Sequence, residues 1–125
     1  MEKWLRKLAE LLERNDKYDP WIDEVSVQEV LETVKEEIAE LYQAVEKSDI
    51  ENIKEELGDL LWTALLVVLS VKRNFDIDVE EAIELLEKKM RNRKPYIFEG
   101  IKPTLNEAVD IWIKAKEKEI KRPQC

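Results

Sequence analysis

The stretch Glu36-Glu37-Ile38-Ala39-Glu40, followed by Lys47-Ser48-Asp49 and then by Glu56-Leu57-Gly58-Asp59, decides how the chain folds. Glu37 and Glu40 are three residues apart, as are Glu56 and Asp59, so each pair lies one turn apart on one face of a helix. Ser48 is the midpoint: Glu40 and Glu56 are each eight residues from it, Glu37 and Asp59 each eleven. An antiparallel hairpin turning at Ser48 therefore sets both pairs at matching heights, roughly 12 to 17 Å from the turn. Four carboxylates then converge on one point. Like charges at helical spacing destabilise by roughly 0.2 to 0.5 kcal/mol per pair, and none of the four has a Lys or Arg three or four residues away on its own helix. A solvated acidic face is the plain alternative, and Glu36, Glu46 and Glu55 share that lack of a basic neighbour. The symmetry of two pairs about one turn favours a bound cation.

Composition narrows the chemistry. The chain has 125 residues, enough for one domain of ordinary size, and only two glycines and four prolines, which favours long helices over many-stranded sheets. Charged residues make up 40% and hydrophobic residues 44%, the balance of a foldable chain with a heavily charged surface. A formal net charge of −8 argues against nucleic acid and anionic membrane as partners. There is no histidine in the sequence, which excludes His-based triads, His acid–base catalysis and His-ligated zinc or di-iron sites. Metal chemistry is left to oxygen ligands, which suit Mg²⁺ or Mn²⁺. The single cysteine, Cys125, forms no internal disulfide and fits a reducing cytoplasm. Met1-Glu2-Lys3-Trp4 enters a charged amphipathic segment without an apolar stretch, so no signal peptide is expected. The longest apolar run, residues 60–71, falls short of the ~20 residues that span a bilayer.

Apolar spacing predicts an all-α fold, a bundle of about five helices around an antiparallel central hairpin. Trp4, Leu5, Leu8, Leu11 and Leu12 share a face of a helix over 2–15. Residues 17–25 are expected as a loop, since Pro20 keeps Asp19 out of helical geometry. Ser26 with Glu29, Ser48 with Glu51, Asp78 with Glu81 and Thr104 with Glu107 each read as a helix start, a capping oxygen followed three residues later by Glu. Leu31, Val34, Ile38, Leu41 and Val45 form the expected seam of a helix over 27–47, with Glu37 and Glu40 off it. The next helix, 49–73, is apolar all round in its second half, through Leu66, Val67 and Leu69, so covering it is expected to need a second copy of the chain. A helix over 79–93 stops before Pro95, and a last one spans 104–121 with Trp112 and Lys116 one turn apart. One domain over 1–125 is expected, its core at about 26–93.

Glu-Glu-x-x-Glu, a spacer, then Glu56-Leu57-Gly58-Asp59-Leu60-Leu61 resembles the signature of the MazG-like all-α nucleoside triphosphate pyrophosphohydrolases, and the resemblance runs from about Pro20 to Lys118. It implies hydrolysis of a (deoxy)nucleoside triphosphate, or a noncanonical one, to the monophosphate and pyrophosphate. It also implies Mg²⁺, with Mn²⁺ as a substitute, held by Glu37, Glu40, Glu56 and Asp59, and Glu36 or one of the ligands as proton acceptor. Lys89 and Arg93 match the family's phosphate-holding positions, whereas two family histidines are replaced by Lys94 and Tyr96. Trp112 with Lys116, and Trp21 beside Pro20, resemble family elements near the nucleotide. Buried or plugging aromatics are the plain reading of both tryptophans. The expected assembly is a homodimer or homotetramer in the cytoplasm. The rivals are a noncatalytic acidic dimeric interaction module and a dUTP-specialised relative.

Overall fold

The computed structural model describes residues 1–120; Lys121, expected at the end of the last helix, and Cys125 lie outside the described residues. Seven helices follow in order: α1 (Glu2–Tyr18), α2 (Pro20–Glu24), α3 (Val27–Glu46), α4 (Ile50–Phe75), α5 (Val79–Arg93), α6 (Pro95–Glu99) and α7 (Leu105–Ile120). There is no strand among the described residues. The described residues divide into two compact units, the first Met1–Ile77 and the second beginning at Asp78.

Five of these helices are those the sequence leads one to expect; α2 and α6 are additions of one turn each. Residues 17–25 are therefore not a loop. Asp19 does stay extended before proline, at φ −92° and ψ 112°, but Pro20 then occupies the first helical turn and Asp19 Oδ1 accepts from the Trp21 N–H, so the same proline starts α2. Pro95 acts likewise at the start of α6.

In the first unit α3 packs antiparallel against α4 across a tight turn. Ser48 is not the cap of α4. It adopts the left-handed conformation, φ 53°, its N–H donating to the Val45 carbonyl while the Asp49 N–H donates to Ala44. That bond pair closes α3 as a Schellman motif, and Asp49 becomes the cap of α4, accepting from the Asn52 N–H. The other expected caps stand: Ser26 and Glu29 bond reciprocally, as do Thr104 and Glu107, and Asp78 accepts from the Glu80 N–H.

The seam also differs from expectation. Leu31, Ile38 and Val45 are 43%, 52% and 55% exposed. Val34 and Leu41 are covered as expected, but the rest of the covered stripe of α3 is Val30, Thr33, Glu37 and Ala44, so Glu37 lies on the seam rather than off it, with Val30 and Ala44 fully buried. Small Ala44 beside the turn lets the helices approach there. On α4 the covered stripe includes Glu56, Leu60, Thr63, Leu66 and Ser70. Ile22, Val25, Val30, Leu66 and Leu69 form the core, with Leu12, Trp62 and Val67 packed on it. Arg73 ties α4 to the α1–α2 corner: its guanidinium pairs with Asp16 at 2.7 Å and with Asp23, and donates to the Asp16 carbonyl at 2.6 Å. Among the described residues no helix is long and apolar enough to cross a membrane.

In the second unit α5 packs with α6 and α7. Arg93 and Asn92 of α5 both reach Glu119 of α7, at 2.6 and 2.8 Å, and Ala115 is buried.

Candidate metal centre

The covered stripes place two acids inside the hairpin interface. Glu37 occupies a packed position of α3 and Glu56 one of α4, both half-buried, while Asp59 is exposed one turn further along. One carboxylate oxygen from each of Glu37, Glu56 and Asp59 lies within 4.8 Å of the other two. Glu40 is exposed, but its carboxylate stands beside those of Glu56 and Glu37. The turn at Ser48 thus brings together all four acids of the symmetric pattern, though three rather than four supply the tight group. Glu36 is exposed, and it is not part of that group.

The crowding has electrostatic consequences. The carboxyl of Glu56 is pushed up to about 7, first by hydrogen bonding with Glu40, then by desolvation, then by the charges of Glu40, Asp59 and Glu37. That of Glu37 is raised by desolvation and by the charges of Glu40 and Asp59. Glu37 Oε2 and Glu56 Oε2 are buried without a hydrogen-bond partner among the described residues. Other polar groups of the same stripes are satisfied: Thr33 Oγ1 donates to the Val30 carbonyl at 2.6 Å and Thr63 Oγ1 to Leu60 at 3.2 Å. Buried oxygens left without partners are unusual and costly. Three clustered carboxylates with two sealed, unpartnered oxygens form an all-oxygen donor set that fits a hard divalent cation.

The remaining sequence candidates are divided between the two units. Trp21 is 41% exposed, and the plug over the core is its neighbour Ile22, 1% exposed. Arg93 and Lys89 belong to the second unit, where the Arg93 guanidinium is engaged by Glu119, whose carboxyl is held below its usual range by Arg93 and Asn92. Lys116 Nζ stands 4.5 Å from the centre of the Trp112 ring, a cation–π contact with Trp112 38% exposed. Sequence reasoning missed two features of the first unit, the Arg73 tie and a cleft between α1 and Trp62. Acids at Asp16 and Asp23 are distant in sequence from Arg73, but Leu11, Arg14, Asn15 and Tyr18 already share a helical face.

Known proteins can be set beside this geometry. Residues 25–98 match the MazG nucleotide pyrophosphohydrolase domain. A nucleoside triphosphate pyrophosphohydrolase of Mycolicibacterium smegmatis is 28% identical over 106 residues, 82% of this chain and 33% of that protein. One of the same name from Mycobacterium tuberculosis is 28% identical over 102 residues, 80% of this chain and 31% of that protein. The chain thus spans about a third of the length of these curated relatives. The crystal structure of a mazG-related protein from Thermotoga maritima superposes with a TM-score of 0.82 at 38% identity, covering 90% of this chain and 98% of that one. The matched span holds the α3–α4 hairpin and all four clustered acids, and the chain belongs to the MazG nucleotide pyrophosphohydrolase domain family.

Proposed function

We propose that the chain is an Mg²⁺-dependent nucleoside triphosphate pyrophosphohydrolase, converting a (deoxy)nucleoside triphosphate or a noncanonical one to the monophosphate and pyrophosphate. The observation that carries the reading is the Glu37–Glu56–Asp59 oxygen cluster with its two orphaned oxygens. The names of the mycobacterial relatives point to the same reaction.

Glu37, Glu56 and Asp59, with Glu40 beside them, would hold Mg²⁺, or Mn²⁺ in its place. The ion would supply positive charge against the triphosphate oxygens of a substrate that a chain of net charge −8 otherwise repels. Fixed on two packed helices, the acids need no rearrangement as charge develops. Water attacks the α-phosphorus; the bond from that phosphorus to the α–β bridging oxygen breaks, and pyrophosphate leaves. Glu40 or Glu36, both exposed, takes the proton of the attacking water. On the resemblance of their segments Lys89, Arg93 and Lys116 are assigned to the phosphates and the rings of Trp112 and Trp21 to the nucleoside. For Arg93 the substrate must displace Glu119.

The assembly belongs to the same proposal. Leu31, Ile38 and Val45 leave an apolar stripe of α3 in water, and a homodimer or homotetramer covers it. Product separation after incubation with Mg²⁺ tests the reaction, with monophosphate and pyrophosphate as the expected pair.

A further inference from the structure

Among the described residues of the second unit, the ion pairs Arg91–Glu87 and Lys114–Asp110 each join neighbours one turn apart on one helix, with side chains more than half exposed. Such pairs contribute little. Arg93 and Glu119 differ: they reach between α5 and α7, and their side chains are 19% and 25% exposed. Arg93 Nε donates to both carboxylate oxygens at 3.3 and 3.2 Å, Nη2 to Oε2 at 2.6 Å, and Asn92 Nδ2 to Oε1 at 2.8 Å. Lys89, one turn back on α5, adds its charge to the field that holds the Glu119 carboxyl below its usual range, and no acid follows Glu87 on that helix. One carboxylate therefore lies among two cations and an amide. The guanidinium fork that grips it fits the oxygens of a phosphate equally well.

We propose that Glu119 is a built-in competitor for this anion site: its carboxylate occupies the donors of Arg93 and Asn92 until a polyphosphate takes them, and so sets how much phosphate ligand the site admits. The inference rests on the reading that Arg93 meets the phosphates of the substrate. A side chain tethered on a packed helix acts at an effective concentration on the order of millimolar. Displacing it lowers the affinity of every incoming anion by one common factor, the fraction of molecules whose site stands free. Inorganic phosphate, with one phosphorus to attach, then falls below useful affinity, whereas a triphosphate has further phosphates to bind with. Released pyrophosphate is held back from refilling the site by the same factor.

Inorganic pyrophosphate, titrated calorimetrically onto the full chain without divalent metal, tests the site apart from turnover. Glu119→Gln keeps the shape of the side chain and removes its charge, and is expected to bind pyrophosphate about tenfold more tightly than the parent, as charge-assisted hydrogen bonds to the competitor are weakened. Glu117→Gln makes the same charge change at an exposed position of the same helix and is expected to bind as the parent does. In an Arg93→Gln background the gain from Glu119→Gln is expected to vanish. With a triphosphate and Mg²⁺, Glu119→Gln lowers KM by a similar factor and leaves kcat unchanged. Unchanged or weaker pyrophosphate binding in Glu119→Gln chains of parental helicity overturns the competitor, and so does an equal gain in Glu117→Gln. Pyrophosphate binding indifferent to Arg93→Gln removes the phosphate reading of Arg93 and the inference with it, whereas binding that needs Arg93 and ignores Glu119 removes the competitor alone. A gain at Glu119 while no triphosphate is cleaved upholds the competitor and removes the proposed reaction.

Discussion

Glu37 on α3 and Glu56 on α4 face each other across the hairpin with one oxygen each, Oε2, buried and without a hydrogen-bond partner among the described residues, and both acids contribute to a cluster with Asp59 within 4.8 Å. Both acids lie on the same stripes that carry Val30, Ala44, Thr63 and Leu66, and that packing holds them half-buried in the hairpin.

Such a pair makes the metal-free protein less stable than its core allows. Millimolar Mg²⁺ is expected to raise the calorimetric Tm, by an amount equivalent to about 2.7 kcal/mol at a hundredfold excess over Kd. Glu56→Gln should raise the metal-free Tm, because it removes charge from a crowded site, and abolish the response to Mg²⁺. A Tm indifferent to the ion in the parent protein would remove the cluster as a binding site.

The raised carboxyl of Glu56 fixes a sign for pH. The folded state holds this proton up to about 7, above the ordinary carboxylate value of 4.5, so it binds more protons than the unfolded chain in that window. The contribution is fully present below pH 4.5 and is lost as pH rises through about 7, and Glu37 acts in the same direction. Without metal, the Tm difference between the parent and Glu56→Gln should therefore widen in favour of the variant between pH 4.5 and 7. With Mg²⁺ the trend opposes this, since binding displaces the proton.

The α3–α4 turn holds a serine where backbone geometry favours glycine. Ser48 at φ 53° bears the cost of the left-handed region, ~1 kcal/mol. Ser48→Gly should stabilise the protein by about that amount in urea denaturation, with helicity and metal binding retained. Destabilisation would mean that the serine hydroxyl makes an interaction outweighing the strain.

How far these features are legible in sequence differs from one to the next. The all-α class and the limits of α5 at Val79–Arg93 follow from capping residues and proline, which act locally. Convergence of the acids follows from their spacing about Ser48, because an antiparallel hairpin has one register once its turn is placed. The seam is misread through Leu31, Ile38 and Val45 because apolar periodicity assigns the most hydrophobic face to the partner helix, while here that stripe faces outward and the interface tolerates Thr33, Glu37, Thr63 and Ser70. Hydrophobicity alone does not separate a face buried within a chain from one buried between copies.

That outward stripe should be covered in solution. Sedimentation equilibrium at micromolar concentration is expected to give at least twice the 14.9 kDa chain mass, and Leu31→Glu should lower the mass by placing a charge in the contact. A monomer at those concentrations would leave the stripe exposed and refute the proposed assembly.

The reaction itself is tested most directly by separating products from a panel of nucleoside triphosphates incubated with Mg²⁺. The account predicts monophosphate and pyrophosphate in equal amounts, no diphosphate, and loss of most turnover in Glu40→Gln and Asp59→Asn proteins that keep their helical spectra. With ¹⁸O-labelled water the label should enter the monophosphate, since the oxygen attacks the α-phosphorus. Orthophosphate and diphosphate as the main products, or label in the pyrophosphate, would contradict it.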